Sequence, residues 1–206
     1  MSEQRMADHW WWRPGWRVGR RFYTWHLTFQ NATDVHRLAA AYRQGLAGID
    51  GLDLIPDQWL HLTMQGLGFI DEVSEQDVRA IVDAATRRLA EIPAFELKLD
   101  RPGITPEAIR WEAEPPGPAA AVRLAIRQAI AEVWTTVPEQ EERFAAHVSI
   151  AYSNSTGEAT PINEALQAVD AAPAVARIDN AELIVLGRDR QMYEWEPFAS
   201  IPLGAV

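Results

Sequence analysis

Residues 59–65 read Trp59-Leu60-His61-Leu62-Thr63-Met64-Gln65. In an extended chain, successive side chains point to opposite faces. Leu60, Leu62 and Met64 then share one face, and Trp59, His61, Thr63 and Gln65 share the other. The first face is wholly apolar and calls for a covering layer. The second carries an imidazole, a hydroxyl and an amide, and must meet something wet. A strand from Trp59 to Ile70 with one buried and one polar face is the unit from which the rest of the chain can be read.

Two other segments repeat the pattern. In 21–29, Arg-Phe-Tyr-Thr-Trp-His-Leu-Thr-Phe, the apolar set is Tyr23, Trp25, Leu27 and Phe29. The opposite set is Phe22, Thr24, His26 and Thr28. In 146–152, Val148, Ile150 and Tyr152 oppose His147, Ser149 and Ala151, which places Tyr152 in the core. Three of the five histidines thus sit in a His-x-Thr/Ser tripeptide: His26-Leu27-Thr28, His61-Leu62-Thr63 and His147-Val148-Ser149. If these strands share a sheet or two adjoining sheets, their polar faces line one groove. The other two histidines, His9 and His36, are assigned surface or capping roles.

Outward from these strands, helical spacing of Val35, Leu38, Ala39, Tyr42 and Leu46 predicts a helix after Thr33-Asp34. Ser74 with Asp77 opens a second helix in capping-box style, running to about Ala90. Ala94–Leu99 and Ile109–Glu112 read as a hairpin around Pro102, Gly103 and Pro106. The run Pro115-Pro116-Gly117-Pro118 reads as a connector feeding a helix from Ala119 to Trp134. A helix over Ile162–Val169 follows, then strands over Val175–Leu186 and Tyr193–Ile201 joined by a turn near Asp189. This order is α+β. It fits a two-lobed domain over residues 21–206, with its break near 113–118, preceded by a Trp/Arg-rich arm over residues 1–20. The arm's tryptophans are expected to pack onto the domain surface, since indoles this dense seek burial.

Composition narrows the function. The chain has 206 residues, 48% of them hydrophobic and 23% charged, which supports a folded core without staples. It has no cysteine, which removes disulfides, thiolate nucleophiles and cysteine-based zinc sites and suits a reducing cytoplasm. A net charge of -10 disfavours a broad duplex footprint, but leaves room for a nucleotide or an RNA end in a local pocket. No run of about 18 apolar residues is present to cross a membrane. No phosphate-binding glycine loop, dinucleotide fingerprint or metal-helix motif occurs, so no cofactor and no protein partner is expected.

Imidazole takes or gives a proton near neutral pH. A hydroxyl two residues on lies beside it on the same face. Two such pairs facing each other bracket one phosphorus atom. One neutral histidine deprotonates the attacking oxygen, the other protonates the leaving oxygen, and the hydroxyls hold non-bridging oxygens. His61, Thr63, His147 and Ser149 are the candidate catalytic set, with His26 and Gln65 as candidate substrate contacts and no metal ligand. Arg188 is the best-placed arginine for a substrate phosphate, although a turn arginine is more often exposed. Ser153 and Asn154 reach the groove or turn the chain. Tyr193, Trp195 and Phe198 read as sheet packing.

The segments His61-Leu62-Thr63-Met64 and His147-Val148-Ser149-Ile150, with the strand and helix before the first and the hairpin and helix between them, resemble the two-histidine (2H) phosphoesterase superfamily. That superfamily includes RNA 2′,3′-cyclic phosphodiesterases and 2′-5′ RNA ligases. The resemblance covers most of residues 21–202. It implies a bilobal fold of two antiparallel or mixed sheets with flanking helices around a central metal-free cleft, each half contributing one motif. It implies hydrolysis of a 2′,3′-cyclic phosphate on an RNA end or nucleotide. Competing readings are a nonhydrolytic nucleotide or RNA-end binder, a 2′-5′ RNA ligase, a hydrolase with His26, His61 and His147 as metal ligands, and an interaction protein working through the arm.

Overall fold

The computed structural model describes residues 5–139 and 144–204. The chain order is β1 (Arg5–Met6), β2 (Phe22–Thr28), α1 (Thr33–Leu46), β3 (Leu52–Leu54), β4 (His61–Phe69), α2 (Glu75–Leu89), β5 (Phe95–Leu99), β6 (Gly103–Ile104), β7 (Ala108–Glu112), α3 (Pro116–Ala131), β8 (His147–Ser153), β9 (Gly157–Glu158), α4 (Thr160–Ala168), β10 (Ala174–Ile178), β11 (Asn180–Gly187) and β12 (Glu194–Pro202). A single 3-10 turn, Asp57–Trp59, precedes β4. The fold is α+β and bilobal, with antiparallel sheets.

Two four-stranded sheets face each other across a cleft. The first has the order β12-β11-β2-β4 and is backed by α2 and α3. The second has the order β3-β8-β7-β6, and α1 packs against its β8 and against α4. Each helix exists because its apolar residues recur on one stripe. In α1 these are Val35, Leu38, Ala39, Tyr42 and Leu46, all buried. In α2 they are Val78, Ile81, Ala84, Ala85 and Leu89. Ser74 caps α2 with an extended backbone, but its side chain makes no capping bond, so the capping box is not formed. Helix α3 starts inside the proline run, at Pro116, because proline at the first helical position loses no needed N–H.

Three expectations are corrected. Phe95–Leu99 does not form a hairpin with 109–112: it pairs with β10, Ala174 opposite Leu99 through Ile178 opposite Phe95, while β7 pairs with β6 and β8. The run 175–186 is two strands split at Asp179, one in each of two sheets. The lobes do not divide near 113–118 either. The chain crosses between them repeatedly: β2 belongs to the first sheet, β3 to the second, β4 to the first, and α3 backs the first while its flanking strands β7 and β8 lie in the second. This interleaving puts His61 and His147 on opposite walls of the cleft.

Candidate active site

The cleft holds a cavity of about 400 Å³. His26, His61 and Thr63 contribute from the first sheet, and His147 and Ser149 from the second. The pairing explains the first group: in the β2–β4 ladder His26 lies opposite Thr63 and Thr28 opposite His61. Thr63 is exposed to the cavity, while His61 and Ser149 are each 8% exposed.

The two motif histidines are fixed in the same way. His61 Nδ1 lies 2.8 Å from the Trp59 carbonyl, and His147 Nδ1 lies 2.7 Å from the Ala145 carbonyl. A carbonyl only accepts, so each Nδ1 carries the proton and donates. Nε2 is therefore the nitrogen left for proton exchange in each ring. The acceptor stands two residues before the histidine in both cases, so the anchor is built into the strand entry of each motif.

Burial controls the charge of these rings. It pulls His61 down to about 4, against the raising effect of the Trp59 hydrogen bond, and a charge on His147 would lower it further. His147 is lowered as well, first by burial, with Arg110 adding and the Ala145 carbonyl opposing. His26 is held well below its ordinary value by burial and then by His61. In the free site these imidazoles are neutral at pH 7.

Arg110 also lines the cavity. It sits directly across the ladder from Ser149 and forms no salt bridge among the described residues. A lone arginine within the otherwise apolar Ala108-Ile109-Arg110-Trp111 was the available sequence signal for it.

Two β-bulges, one in β4 and one in β8, each move a residue off the face that simple alternation gives it. In the β2–β4 ladder Trp25 pairs with Gln65 and His26 with Thr63, so Met64 is the extra residue. Beyond it the phase inverts. Gln65 turns away from the cavity to the side of Trp25 and is fully buried. Its Oε1 accepts from Arg127 Nη1 at 2.7 Å and from Arg123 Nη2 at 3.3 Å, and its Nε2 donates to the Pro138 carbonyl. Gln65 is thus a brace beneath the sheet and not a cavity residue. In the β7–β8 ladder Ile109 pairs with Ala151 and Arg110 with Ser149, so Ile150 is extra. The same inversion brings Tyr152 onto the cavity face with Ser149, where it lines the wall while remaining buried in the core as expected, and burial raises its phenol.

The arm and the β11–β12 turn supply walls that alternation could not place. His9 is buried at the cavity, stacked on Tyr152 at 4.3 Å, and not on the surface. Tyr193 lines the same wall. Trp195 meets His26 and His61 edge-on at 5.4 and 5.3 Å, so it packs against the imidazoles as well as the sheet. Of the arm's tryptophans, Trp10 is buried and Trp16 packs on Phe69 and Phe22, while Trp11 and Trp12 stay about half exposed. Arg188 is 3% exposed, so it is not a free turn arginine. It donates to the carbonyls of His9 and Trp11 and lies among the rings of Trp10, Trp12, Trp16 and Tyr193. Ser153 turns inward to bond the Ser155 carbonyl, and Asn154 donates to Asp53, so both serve the turn.

Among the described residues no group of three or more His, Asp or Glu is placed to hold a metal ion. No helix among them is long and apolar enough to cross a membrane.

Residues 34–190 match the family model of the 2'-5' RNA ligase superfamily. Among solved structures, TT0787 of Thermus thermophilus aligns with a TM-score of 0.68 at 16% identity, covering 90% of this chain and 98% of that one. LigT of E. coli in complex with 3'-AMP aligns with a TM-score of 0.66 at 17% identity, covering 89% and 98%. A conserved Agrobacterium tumefaciens protein, ATU0111, aligns more distantly, with a TM-score of 0.51 at 15% identity over 86% and 84%. No curated protein sequence matches the chain.

Proposed function

The chain belongs to the 2'-5' RNA ligase superfamily, and from that premise we propose that it hydrolyses a 2′,3′-cyclic phosphodiester on a nucleotide or RNA end, with His61 and His147 as the acid–base pair. The observation that carries this reading is the matched anchoring of the two rings. Each donates Nδ1–H to a backbone carbonyl two residues upstream, and each keeps Nε2 for chemistry.

His61 is the base. It is the more deeply buried of the two, it stacks on neutral His26, and its proton affinity is held down to about 4, so its Nε2 lone pair is available at neutral pH. Water attacks phosphorus and His61 Nε2 takes its proton. The bond from phosphorus to one ribose oxygen breaks, and protonated His147 Nε2 returns a proton to that oxygen. His147 is the less buried ring, and the bound phosphate anion raises its proton affinity on arrival. Thr63 and Ser149 donate to the non-bridging oxygens, and Arg110 offsets their charge. The product is a ribose phosphomonoester. After release, the proton gained by His61 is lost to solvent, and His147 takes up a proton again when the next phosphate anion arrives. Both transfers are complete without a metal ion. LigT of E. coli, alike in fold, is found with 3'-AMP, a phosphomonoester of the kind this reaction releases.

The test is turnover of nucleoside 2′,3′-cyclic phosphates in the presence of a strong chelator. Wild type should hydrolyse them, and His61→Ala and His147→Ala should each lose at least about a hundredfold in kcat, the usual worth of a general acid or base. An inactive wild type, variants as active as wild type, or activity abolished by the chelator overturns the reading. Binding of the same compounds without turnover would make the chain a nucleotide-binding module instead.

A further inference from the structure

The arm lies outside the matched family region, yet it forms part of the cavity wall. Three backbone and side-chain bonds tie its first half to the second sheet and its loops. Ala7 N–H donates to the Pro106 carbonyl, His9 N–H to the Ser153 carbonyl at 2.8 Å, and Trp10 Nε1 to Asp53 at 2.7 Å. Glu107 then gathers Arg13, Trp11 Nε1 and His9 Nδ1. The second half is tied to the first sheet. Arg188, from the β11–β12 turn, holds the Trp11 carbonyl and reaches back to that of His9 in the first half, and Arg20 bonds Asp71 and Glu72 beyond β4. Between these anchors Trp16 lies against Phe22 and Phe69. The arm therefore spans from one lobe to the other along a single flank of the cleft.

That flank is rigid by construction. Trp10 is 7% exposed and packs against Tyr152 and Tyr193. His9 is neutral, its proton affinity lowered to about 4 mainly by burial. Its Nδ1–H donates to Glu107, so its Nε2 accepts the Tyr193 hydroxyl at 3.0 Å. The chain Glu107–His9–Tyr193 thus fixes the phenol at the cavity wall. The cavity volume, about 400 Å³, lies at the small end of ligand pockets, which run from about 300 to 1,000 Å³.

We infer that the arm makes this cleft one-sided: it admits a phosphodiester whose bulk continues in one direction only, a nucleoside cyclic phosphate or a strand terminus, and rejects a linkage that joins two strands. This rests on the reading of the cleft as a phosphodiester site. A 2′–5′ linkage carries a nucleoside on each side of phosphorus, and the walled flank leaves room for one.

The experiment compares two probes by calorimetry on the full chain: adenosine 3′-monophosphate and 2′–5′-linked adenylyl-adenosine. Wild type should bind the monophosphate at least about tenfold more tightly. Trp10→Ala and Arg188→Gln, at positions outside the cavity lining, should free the arm and bring the two affinities together, with trypsin cleavage after Arg17 reporting release. Arg188→Gln carries the comparison if Trp10→Ala does not fold. Equal affinities in wild type, or an unchanged ratio in a variant whose arm trypsin removes, overturns the inference. A preserved binding preference without hydrolysis of cyclic phosphates overturns the catalytic reading alone. Binding of neither probe overturns both.

Discussion

The imidazoles of His26 and His61 lie face to face, with centroids 4.3 Å apart and planes within 5°. Trp195 closes over both ring edges. Two cations do not stack in a buried site, so at most one of these rings holds a proton at a time. His26 Nε2 faces the Thr63 hydroxyl at 3.5 Å, and its Nδ1 has no hydrogen-bond partner among the described residues. His26 is therefore a lining ring that packs on His61 and faces the Thr63 hydroxyl, while burial keeps His61 neutral. Rings stacked in parallel planes do not converge their nitrogens on one point, which argues against the three histidines forming a metal-ligand set.

His26→Phe retains a flat ring against His61 and removes the nitrogens. Its kcat on a cyclic phosphate should stay within about tenfold of wild type, the worth of one weak hydrogen bond to Thr63. A loss as large as that of His61→Ala would place His26 in the proton transfers.

Acid should destabilise the fold earlier than its carboxylates alone predict. His9 and His61 are each held down to about 4, and His26 well below its ordinary 6.5, first by burial in every case. The unfolded chain protonates these rings near 6.5. Between those values the unfolded state binds more protons, so stability is full above about 6.5 and is lost as pH falls toward 4. For His61 alone the loss approaches roughly 3 kcal/mol. Thermal melts against pH should show this slope, and a Tm independent of pH down to about 4 would rule it out.

Gln65→Ala should lower stability while sparing substrate affinity. The amide accepts from Arg123 and Arg127 and donates to the Pro138 carbonyl beneath the sheet. Its loss should cost about 1–3 kcal/mol in denaturant unfolding, the penalty for removing buried hydrogen-bond partners. A rise in KM without loss of stability would return Gln65 to the cavity side.

Tyr152→Phe tests the bulge at Ile150. With its ring on the cavity wall beside Ser149, loss of the hydroxyl should raise KM for a cyclic nucleotide by about two- to tenfold, one hydrogen bond's worth, with little change in Tm. An unchanged KM together with a lowered Tm would indicate a core tyrosine.

Local pattern made much of the fold legible. The period-two alternation through His61-Leu62-Thr63 and His147-Val148-Ser149 identified strands with one polar face, and the structure places all four polar residues on one cavity. Helices α1 and α2 were readable because a 3.6-residue apolar stripe is a property of a short window. The positions of Gln65 and Tyr152 were not, because a bulge counts two residues against one on a partner strand and has no signature in the bulged strand alone.

The sequence by itself determined the polar strand faces up to each bulge and the His-x-Thr/Ser motifs. Only the tertiary structure decided which strands pair and what closes the cleft. Phe95–Leu99 finds β10 and not its neighbour because pairing depends on which edges the helices bring together. His9 becomes a wall residue, with Trp10 and Arg188 packed behind it, because Asp53, Glu107 and Tyr193, far apart in the chain, converge on them. Alternation is a local consequence of backbone geometry, whereas burial of an arm depends on surfaces that exist only once the lobes have assembled.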